Sequence, residues 1–314
     1  MDNPLVSIVV CTYNRARWLP ETMTTILRQS YKPIEIVVLD DGSTDNTREL
    51  INSYGNTIRY CRQENKGISE ARMQAARLAR GEFIAFQDDD DLMPRDRILN
   101  LYNAFLKSPT AVLAVGDAIV VDNNGSITEK RWLPVGKLSK GETVILQDGY
   151  EAVLWPKVPA APHTTLFRKS DGDKINWFDK RFHYAAEDKD FFARLGQLGP
   201  VVYIPKVVSF YRRGHESLTK NILIKEIHKL MLFDKHLQKL DVGHERLRRR
   251  LNYRKLLSLL KISRLKNRDK LLTASTYKTF HSKQIASLDW KEKIIYHYSD
   301  LIKIPLSRRI RRLQ

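Results

Sequence analysis

Three short apolar runs in the first ninety residues each end in a polar cluster, and helix-like stretches separate the runs. The runs occupy 5–10, 34–39 and 81–86, and the stretches near 19–29 and 69–80 have the apolar spacing of helices. Buried strands that alternate with helices are typical of a mostly parallel sheet covered by helices. We therefore predict an α/β fold whose first half is built from strand–helix–strand units.

The polar clusters that follow these strands lie where a parallel sheet binds its ligands. They are Thr12 to Arg15, Asp40 to Asp45 and Asp88 to Asp91. In such sheets ligands bind beyond the carboxyl ends of the strands. We expect a ligand site at this edge of the sheet.

Beyond residue 110 the pattern changes twice. Residues 111–220 mix short strands with turns rich in glycine and proline, and one helix, 186–195, interrupts them. From Asn221 onward the apolar spacing is helical. The predicted organisation is one half at 1–110, a second half at 111–220 and a helical extension at 221–314. The predicted short strands of the second half lie at 112–115, 119–121, 164–167, 201–204 and 207–211.

Most of the positive charge lies in the predicted extension. The chain of 314 residues has a formal net charge of +18. Residues 221–314 contain 24 Lys and Arg against 8 Asp and Glu, so the rest of the chain is nearly neutral. A basic face of this size favours an anionic partner, either a phospholipid surface or nucleic acid.

The extension favours a membrane surface over nucleic acid. Few aromatic residues are interleaved with its basic residues, and no nucleic-acid recognition motif accompanies them. Near the basic cluster 308–312, an apolar stripe suits a helix that lies in the plane of an anionic bilayer. We expect the extension to bind an anionic membrane surface and no nucleic acid; the alternative is that the stripe packs onto the rest of the protein. The stripe consists of Ile294, Tyr298, Leu301 and Ile302.

Nothing in the sequence predicts export or a membrane-spanning segment. The two cysteines, Cys11 and Cys61, are too few for a disulfide scaffold, which favours a reducing compartment. The N-terminus lacks the basic and then apolar pattern of a signal peptide, and no run reaches the ~18 apolar residues of a spanning helix. We expect a cytoplasmic protein that is peripheral on the cytoplasmic face of the membrane.

Four consecutive aspartates, Asp88 to Asp91, follow the third apolar run. Like charges this close oppose one another's ionisation, so the run favours a compensating cation. Mg²⁺ and Mn²⁺ take oxygen ligands and are commonly held by one or two carboxylates together with substrate phosphates. In an extended segment Asp88 and Asp90 would share one face, and Asp89 and Asp91 the other. The alternative is a solvated acidic turn after a buried strand.

Six short segments share the order and approximate spacing of a known protein family. They are Val6 to Arg15, Glu35 to Asp45, Glu64 to Gly67 with Ala71 and Arg72, Gly81 to Ile84, Asp88 to Asp91, and Glu187 with Asp188. In this order they resemble the family 2 inverting glycosyltransferases with the GT-A fold, the fold of nucleotide-diphospho-sugar transferases. The resemblance is strong over 4–105, fair from there to 220 and absent beyond. It implies a nucleotide-sugar-binding half at 1–110 and an acceptor-binding half with the catalytic base at 111–220.

The resemblance implies nucleotide contacts in the loop after the first strand. Thr12, Tyr13, Asn14 and Arg15 match the family's first nucleotide-contact loop, in which Tyr13 is available to stack on the base. Taken without the family, Tyr13 is equally well explained as a packed loop aromatic.

Two further residues match nucleotide-binding positions of the family. Asp41 matches the residue that accepts the uracil imide N–H in related enzymes, and Arg72 matches an arginine near the nucleotide. Asp41 also suits a turn, with Ser43 or Asp45 starting the next helix. Without the family, Arg72 would be an exposed helical arginine. Met73 departs from the family pattern, in which this position is usually Asn.

The run from Asp88 to Asp90 matches the family's D-x-D element. The match places Asp88 at the ribose, Asp89 in the nucleotide-sugar site and Asp90 on a metal, Mn²⁺ or Mg²⁺, that bridges the two phosphates. Such a metal would take up charge on the departing nucleoside diphosphate. His215 lies in a segment resembling one whose histidine completes the metal shell; a solvated loop histidine is the alternative.

Glu187 and Asp188 match the acidic pair of the family. Asp188 matches the base that takes the proton from the attacking hydroxyl, and Glu187 would orient the acceptor or a neighbouring cation. Both residues also suit a helix N-terminus, where negative charge is stabilising. His163 and Thr164 lie where acceptor contacts are expected.

The resemblance implies an inverting glycosyltransferase that moves a sugar from a nucleotide-diphosphate sugar to a hydroxyl of a saccharide or lipid-linked glycan, in cell-surface polysaccharide synthesis. UDP is the family's commonest nucleotide, although dTDP carries the same imide. A processive polysaccharide synthase is disfavoured because a Q-x-x-R-W motif and spanning helices are missing from the sequence. One alternative is a sugar nucleotidyltransferase, which would need a glycine-rich loop after the first strand. The other is a basic nucleic-acid-binding protein.

Overall fold

The computed structural model describes residues 3–129, 141–214 and 221–266. The chain divides into two compact units, one ending at Lys220 and the other beginning at Asn221. The first unit contains a sheet and its covering helices, and the described part of the second unit is helical.

A sheet of nine strands forms the centre of the described part of the first unit. Its strands are β1 (Val6–Thr12), β2 (Ile34–Asp40), β3 (Arg59–Arg62), β4 (Phe83–Asp88), β5 (Leu113–Val121), β6 (Ile127–Glu129), β7 (Val144–Leu146), β8 (Thr165–Arg168) and β9 (Val201–Arg212). Their order in space is β3-β2-β1-β4-β8-β5-β9-β7, and β6 pairs with β5.

The strands at one end of the sheet are all parallel. β1 lies between β2 and β4 and is parallel to both, and β3 is parallel to β2. β8 is reversed and pairs antiparallel with β4 and β5, whereas β5 and β9 are parallel. The chain leaves β1 for β2 on one side and later returns to β4 on the other. This change of direction leaves a crevice at the carboxyl end of β1.

Helices accompany the strands of the first unit. They are α1 (Leu19–Leu27), α2 (Thr47–Asn52), α3 (Ile68–Leu78), α4 (Arg97–Lys107), α5 (Gly149–Leu154), α6 (Lys169–Lys174) and α7 (Glu187–Gly196). The central strands are buried; Val9, Val10 and Ile84, for example, are 0% exposed. Strands buried on both faces are nearly continuously apolar in sequence, which explains the apolar runs of β1 and β4. The mostly parallel α/β fold that the sequence predicts is therefore confirmed.

Two pairs of predicted short strands are single long strands. The predicted strands at 112–115 and 119–121 both fall in β5, which begins at Leu113, and those at 201–204 and 207–211 fall in β9. The register between β5 and β9 shifts after Val115, opposite the segment that contains Pro205, which has no N–H to donate. The sequence pattern breaks at this irregularity, although each strand continues through it.

The prediction of a single helix within 111–220 is wrong. Both α5 and α6 lie there, and each has six residues, too few to show a helical period. α4 was also missed, although its buried residues Ile98, Leu101 and Phe105 have the spacing of an amphipathic helix.

The second unit begins with two helices. α8 (Ile222–Lys239) and α9 (Glu245–Lys266) pack against each other, and Leu247 and Leu251 of α9 are buried. The remainder of the predicted extension, including the stripe from Ile294 to Ile302, lies outside the described residues. No helix in the described ranges is both long and apolar enough to cross a membrane.

Candidate active site

A cavity of about 490 Å³ opens at the carboxyl ends of β1, β2 and β4. Thr12 from β1, Asp41 from the loop after β2 and Asp88 from β4 all line it. Glu187 and Asp188 at the start of α7 line the same cavity. This volume is typical of sites for small molecules and cofactors. The polar clusters at the strand ends therefore meet in one site, as the parallel sheet predicted.

Asn14 joins the loop after β1 to the loop after β2. Its Oδ1 accepts a hydrogen bond from the Thr44 N–H at 2.7 Å, and its own N–H donates to Ser43 Oγ at 2.9 Å. Its backbone is left-handed, with φ of 54°. Tyr13 and Arg15 line the cavity, whereas Asn14 is not part of the described lining. Asn14 therefore shapes the loop that presents Tyr13, and its nucleotide contact stays a prediction.

We expect Asn14→Ala to lower the free energy of unfolding by ~1–3 kcal/mol, because it removes the acceptor for Thr44 and leaves an alanine in left-handed backbone. Asn46→Ala is a matched control, since Asn46 is exposed in the loop after β2, which also holds Thr44, and its side chain makes no capping hydrogen bond. Urea unfolding followed by circular dichroism measures both variants. A loss in Asn14→Ala no larger than in Asn46→Ala would contradict this role.

Asp41 organises the loop that follows β3. Its carboxylate accepts hydrogen bonds from Gln63 Nε2 at 2.7 Å, from the Lys66 N–H at 2.9 Å and from the Gly67 N–H at 2.9 Å. An ionised carboxylate offers about four acceptor positions. The turn role that the sequence allowed is therefore present, and the carboxylate keeps capacity for a further donor from the cavity.

The acidic run forms a turn at the end of β4. The strand ends at Asp88, and Thr22 Oγ1 of α1 lies 3.0 Å from the backbone carbonyl oxygens of both Asp89 and Asp91. Asp88, Asp89 and Asp90 all line the cavity, whereas Asp91 is fully buried. The predicted alternation of faces is wrong, because it assumed that the extended backbone continues beyond Asp88.

Asp91 is directed into the protein and joins the turn to β9. Its Oδ1 accepts a hydrogen bond from the Arg212 N–H at 2.8 Å. Its Oδ2 lies 3.8 Å from His163 Nδ1 and has no hydrogen-bond partner among the described residues. Leu92 and Phe210 exchange two backbone hydrogen bonds, of 3.0 and 3.1 Å, beside it. The position of the acidic turn is thereby fixed to both β4 and β9.

The electrostatics of the turn favour a bound cation. Burial raises the pKa of Asp88, Asp89 and Asp91, and the charge of Asp90 raises it further in each case. At Asp88 the Arg72 guanidinium opposes this rise. A cation in the cavity would favour the ionised carboxylates.

The donor atoms at this turn fit a hard divalent metal. Asp88, Asp91 and His163 each bring one potential ligand atom to within 4.8 Å of the other two. Carboxylate oxygens of this kind suit Mg²⁺ and Mn²⁺. Asp90, the ligand that the resemblance implied, lines the cavity beside them. His215, the other implied ligand, lies outside the described residues.

Arg72 connects Asp88 with Glu187. Its Nη1 lies 2.7 Å from Glu187 Oε1, and its Nη2 lies 2.8 Å from Asp88 Oδ1. The side chain is 8% exposed, so the alternative of an exposed helical arginine is wrong. Its neighbour Met73 is buried and apolar where the family usually has Asn.

The acidic pair opens α7. The residue before it, Ala186, has left-handed backbone with φ of 68°. Burial raises the pKa of Glu187 to about 7, the charge of Asp188 adds to the rise, and Arg72 opposes it. Asp188 Oδ1 accepts a hydrogen bond from the Lys189 N–H at 2.6 Å. Asp188 lines the cavity, and its role as a general base stays a prediction.

His163 and Thr164 lie in a short 3₁₀ helix, Pro162–Thr164. His163 lines the cavity; its Nδ1 is 2.8 Å from Ser209 Oγ, and its ring stacks on that of Tyr211 with centroids 5.1 Å apart. Burial lowers the pKa of His163 to about 3, so the ring is neutral near pH 7. Thr164 is fully buried, and its hydroxyl bonds to backbone groups of its own loop. Thr164 therefore holds the loop, and its acceptor contact stays a prediction.

Arg97 is a fully buried residue that sequence reasoning missed. Its Nη1 donates to Gln87 Oε1 at 2.6 Å, and its Nη2 donates to the carbonyl oxygens of Phe86 and Pro162 at 2.8 and 3.0 Å. These bonds join the end of β4 to the loop that carries His163. No local signal marks this residue, because a helical arginine is ordinarily exposed.

The end of β9 contributes further residues that were missed. Tyr211, Arg212 and Arg213 line the cavity. Arg212 is buried, and its Nη2 lies 2.6 Å from Glu21 Oε2. The sequence did contain a signal for these three residues. They lie just before His215, in a segment whose resemblance to the family was used only to identify the histidine.

Solved structures share this fold. Residues 1–349 of TarS from S. aureus in complex with UDP-GlcNAc align with a TM-score of 0.68 at 17% identity, covering 94% of this chain and 87% of that chain. The mannosyltransferase PcManGT from Pyrobaculum calidifontis, in complex with GDP-Man and Mn²⁺, aligns with a TM-score of 0.60 at 19% identity, covering 88% and 79%. At these identities the likeness concerns the fold, and it confirms the predicted GT-A type.

Characterised relatives match parts of the chain. Glycosyltransferase GlyG of Streptococcus pneumoniae is 40% identical over 102 residues, which are 31% of this chain and 34% of that protein. The glucosyl-dolichyl phosphate glucuronosyltransferase of Haloferax volcanii is 36% identical over 122 residues, 37% and 39% of the two chains. The chain thus spans little more than a third of the length of these relatives. A chondroitin synthase of Pasteurella multocida is 29% identical over 233 residues, 70% of this chain and 22% of that protein.

The family model of glycosyl transferase family 2 matches residues 7–175. This match covers more than half of the 314 residues and includes the ends of β1, β2 and β4 that form the cavity. The chain therefore belongs to glycosyl transferase family 2.

Proposed function

We propose that this glycosyltransferase moves a sugar from a UDP-sugar to a hydroxyl of a saccharide or lipid-linked glycan, with inversion at the anomeric carbon and with a divalent metal. The observation that carries the proposal is the chain of ion pairs from Asp88 through Arg72 to Glu187 in one cavity. It joins the acidic turn, which suits a nucleotide sugar, to the start of α7, which suits an acceptor. The proposed setting is cell-surface polysaccharide synthesis.

The donor side is formed by the ends of β1, β2 and β4. Tyr13 is 36% exposed beside the cavity and offers an aromatic face on which a base can stack. Asp41 offers an acceptor for the imide N–H of uracil. Asp88 is the proposed contact for the ribose, and Asp89 lines the same cavity as a further nucleotide-sugar contact. Arg15 lines the cavity near the place proposed for the diphosphate. The complexes of TarS with UDP and UDP-GlcNAc support a uridine nucleotide.

Asp188 is the proposed general base. The acceptor hydroxyl oxygen bonds to the anomeric carbon on the face opposite the diphosphate, while the bond from that carbon to the diphosphate oxygen breaks. The electron pair of the broken bond leaves with the nucleoside diphosphate, and the hydroxyl proton passes to the Asp188 carboxylate. Attack from the opposite face inverts the configuration. Glu187, held by Arg72, orients the acceptor.

Asp90, with Asp88 beside it, would hold Mn²⁺ or Mg²⁺ together with oxygens of the diphosphate. Two observations support a cation at this turn. The pKa values of Asp88, Asp89 and Asp91 are raised, and Asp91 Oδ2 has no hydrogen-bond partner in the part of the chain that the structure describes. His215 is a further proposed ligand. When bound, a divalent metal supplies Lewis acidity that stabilises negative charge on the leaving group. The Mn²⁺ in the PcManGT complex supports this proposal.

We expect UDP to bind about tenfold more tightly than CDP, because the imide N–H of uracil matches the acceptor that Asp41 presents, whereas N3 of cytosine carries no hydrogen, and one hydrogen bond is worth about this factor. dTDP, which has the same imide, is expected to bind like UDP. Titration calorimetry of the three nucleotides in the presence of Mn²⁺ measures the preference. Equal affinity for UDP and CDP would contradict the proposed contact.

We further propose that the enzyme works at an anionic membrane surface. The segment 221–314 carries 24 Lys and Arg against 8 Asp and Glu, and α9 presents Arg246 and Arg249 as exposed residues. Each Lys or Arg close to such a surface contributes ~1 kcal/mol, so a few contacts suffice for binding. A lipid-linked acceptor would then lie beside the active site.

We expect the intact protein to co-sediment with liposomes of anionic phospholipid at low salt and to be released at high salt, since the attraction is screened. Neutral liposomes and an oligonucleotide of mixed sequence are the controls, and we expect neither to bind. Failure to bind anionic liposomes at low salt would contradict the membrane proposal and would favour an acceptor in solution.

A further inference from the structure

We propose that Arg72 is a positioning residue that couples the donor side of the cavity to the acceptor side. It fixes the position of Glu187 relative to Asp88. Because Glu187 begins α7, this also fixes the first turn of α7, which carries Asp188. The inference rests on the proposed function, because it concerns how the same site orders its base.

The guanidinium group of Arg72 is shared between two carboxylates. Nη1 binds Glu187, which is 115 positions away in the sequence, and Nη2 binds Asp88, which is 16 positions away. The planar fork of arginine can serve two acceptors in fixed directions, whereas the lysine ammonium is a single point charge. Any shift of Asp88 or Glu187 must therefore change the geometry of the other ion pair or break it.

The ion pair between Arg72 and Glu187 is shielded from water, whereas the Asp88 side chain of the other pair is 28% exposed. The side chains of Arg72 and Glu187 are 8% and 11% exposed, so salt screens their attraction only weakly. Within the described ranges, Arg72 is the one cation at ion-pair distance from Glu187. A buried carboxylate that loses its partner is costly, and it moves or takes up a proton. The position of Glu187 therefore depends on Arg72.

The backbone that leads into α7 is held by the same face of α3. Ser69, three residues before Arg72, donates from its hydroxyl to the Phe182 carbonyl oxygen at 2.7 Å. Between Phe182 and Glu187 lies the left-handed Ala186, and no side-chain hydrogen bond caps α7. Non-glycine residues in this conformation persist where the surroundings hold them. Ser69 and Arg72 thus hold the two ends of the segment that delivers the acidic pair.

A double-mutant cycle between Arg72→Lys and Glu187→Gln tests the coupling. We expect each single variant to lower kcat for sugar transfer by ~10- to 100-fold, because a misplaced base costs about this much. In Glu187→Gln, which leaves Arg72 paired with Asp88, we expect the KM for the nucleotide sugar to change by less than about threefold. We expect the double variant to lose no more than about twofold in kcat beyond the worse single variant, because both changes break the connection between Arg72 and Glu187. Arg77→Lys is the matched control, since Arg77 is exposed on the same helix.

Amide hydrogen exchange gives a second readout that needs no activity. We expect exchange of the Asp190 N–H, which donates to the Ala186 carbonyl oxygen at 3.0 Å at the start of α7, to accelerate at least about tenfold in Arg72→Lys and in Glu187→Gln, and not in Arg77→Lys. If Arg72→Lys does not fold, Glu187→Gln alone decides by this measurement.

Losses in kcat that multiply in the double variant, or unchanged exchange in Glu187→Gln, would overturn the coupling. A wild-type protein that transfers no sugar would instead contradict the proposed function. The exchange data would still report on the connection, so the two failures are distinguishable.

Discussion

Replacing Asp188 with Asn is expected to lower the turnover of sugar transfer by ~10²- to 10⁴-fold, which is the usual contribution of a general base. Asparagine keeps the size of the side chain and an oxygen that can accept from the Lys189 N–H, but it cannot take the proton of the acceptor hydroxyl. Because Asp188 is assigned to the acceptor side, we expect the affinity for UDP to stay within about twofold of the wild-type value.

Asp173→Asn is the matched control for this variant. Asp173 is exposed, is not part of the described cavity lining, and accepts a hydrogen bond from Trp177 Nε1 that an amide oxygen can also accept. Initial-rate kinetics and UDP titration on both variants separate turnover from binding. Near-normal turnover in Asp188→Asn would show that another group takes the proton. The first turn of α7 contains a third acid, Asp190, which is fully buried and paired with Arg194.

Removing the metal is expected to have the second large effect. Excess chelator should lower turnover by ~10²-fold or more, because charge on the leaving diphosphate would lose a stabilisation worth several kcal/mol. Affinity for UDP should fall as well, and added Mn²⁺ should restore both. Asp90→Ala is expected to reproduce the loss at any metal concentration, since Asp90 is the proposed ligand in the cavity.

Asp96→Ala controls for the loss of a carboxylate in the neighbouring segment, because Asp96 is exposed and its side chain accepts a hydrogen bond from Ser30. Full activity of Asp90→Ala, or equal UDP affinity with and without chelator, would contradict the metal assignment. If Asp90→Ala still binds Mn²⁺ in paramagnetic resonance, the cluster of Asp88, Asp91 and His163 becomes the site to test.

The position of the site could be predicted because a strand that is buried on both faces is visible in the sequence as an apolar run, and the end of the run shows where the strand ends. β1 is apolar from Val6 to Cys11 apart from Ser7, β4 is apolar from Phe83 to Phe86, and the polar residues that follow mark the approximate end of each strand. The parallel arrangement then brings Thr12, Asp41 and Asp88 to one edge of the sheet. The resemblance added the expected roles, which neither burial nor strand order can supply.

The contacts that order the site could not be predicted, because they depend on partners far away in the chain. Arg97 is buried and joins β4 to the loop that carries His163, but nothing near it in the sequence distinguishes it from an exposed helical arginine. The Asn14 side chain accepts a hydrogen bond from the N–H of Thr44, which is 30 positions away in the sequence. Asp91 differs from Asp90 only through the turn that Thr22 holds. Such long-range polar contacts leave no periodic pattern, and three-dimensional coordinates are needed to find them.

Proton NMR of donor cleavage tests the central claim most directly. The intact protein is incubated with Mn²⁺ and a panel of α-linked nucleotide sugars, and the anomeric signals are followed from the first minutes, before the free sugar equilibrates. Water takes the place of the acceptor in this reaction. We predict that at least one UDP-sugar yields UDP together with the β-anomer as the first product, as attack from the opposite face requires. Release of the α-anomer first, or no cleavage of any nucleotide sugar in the panel, would contradict the account.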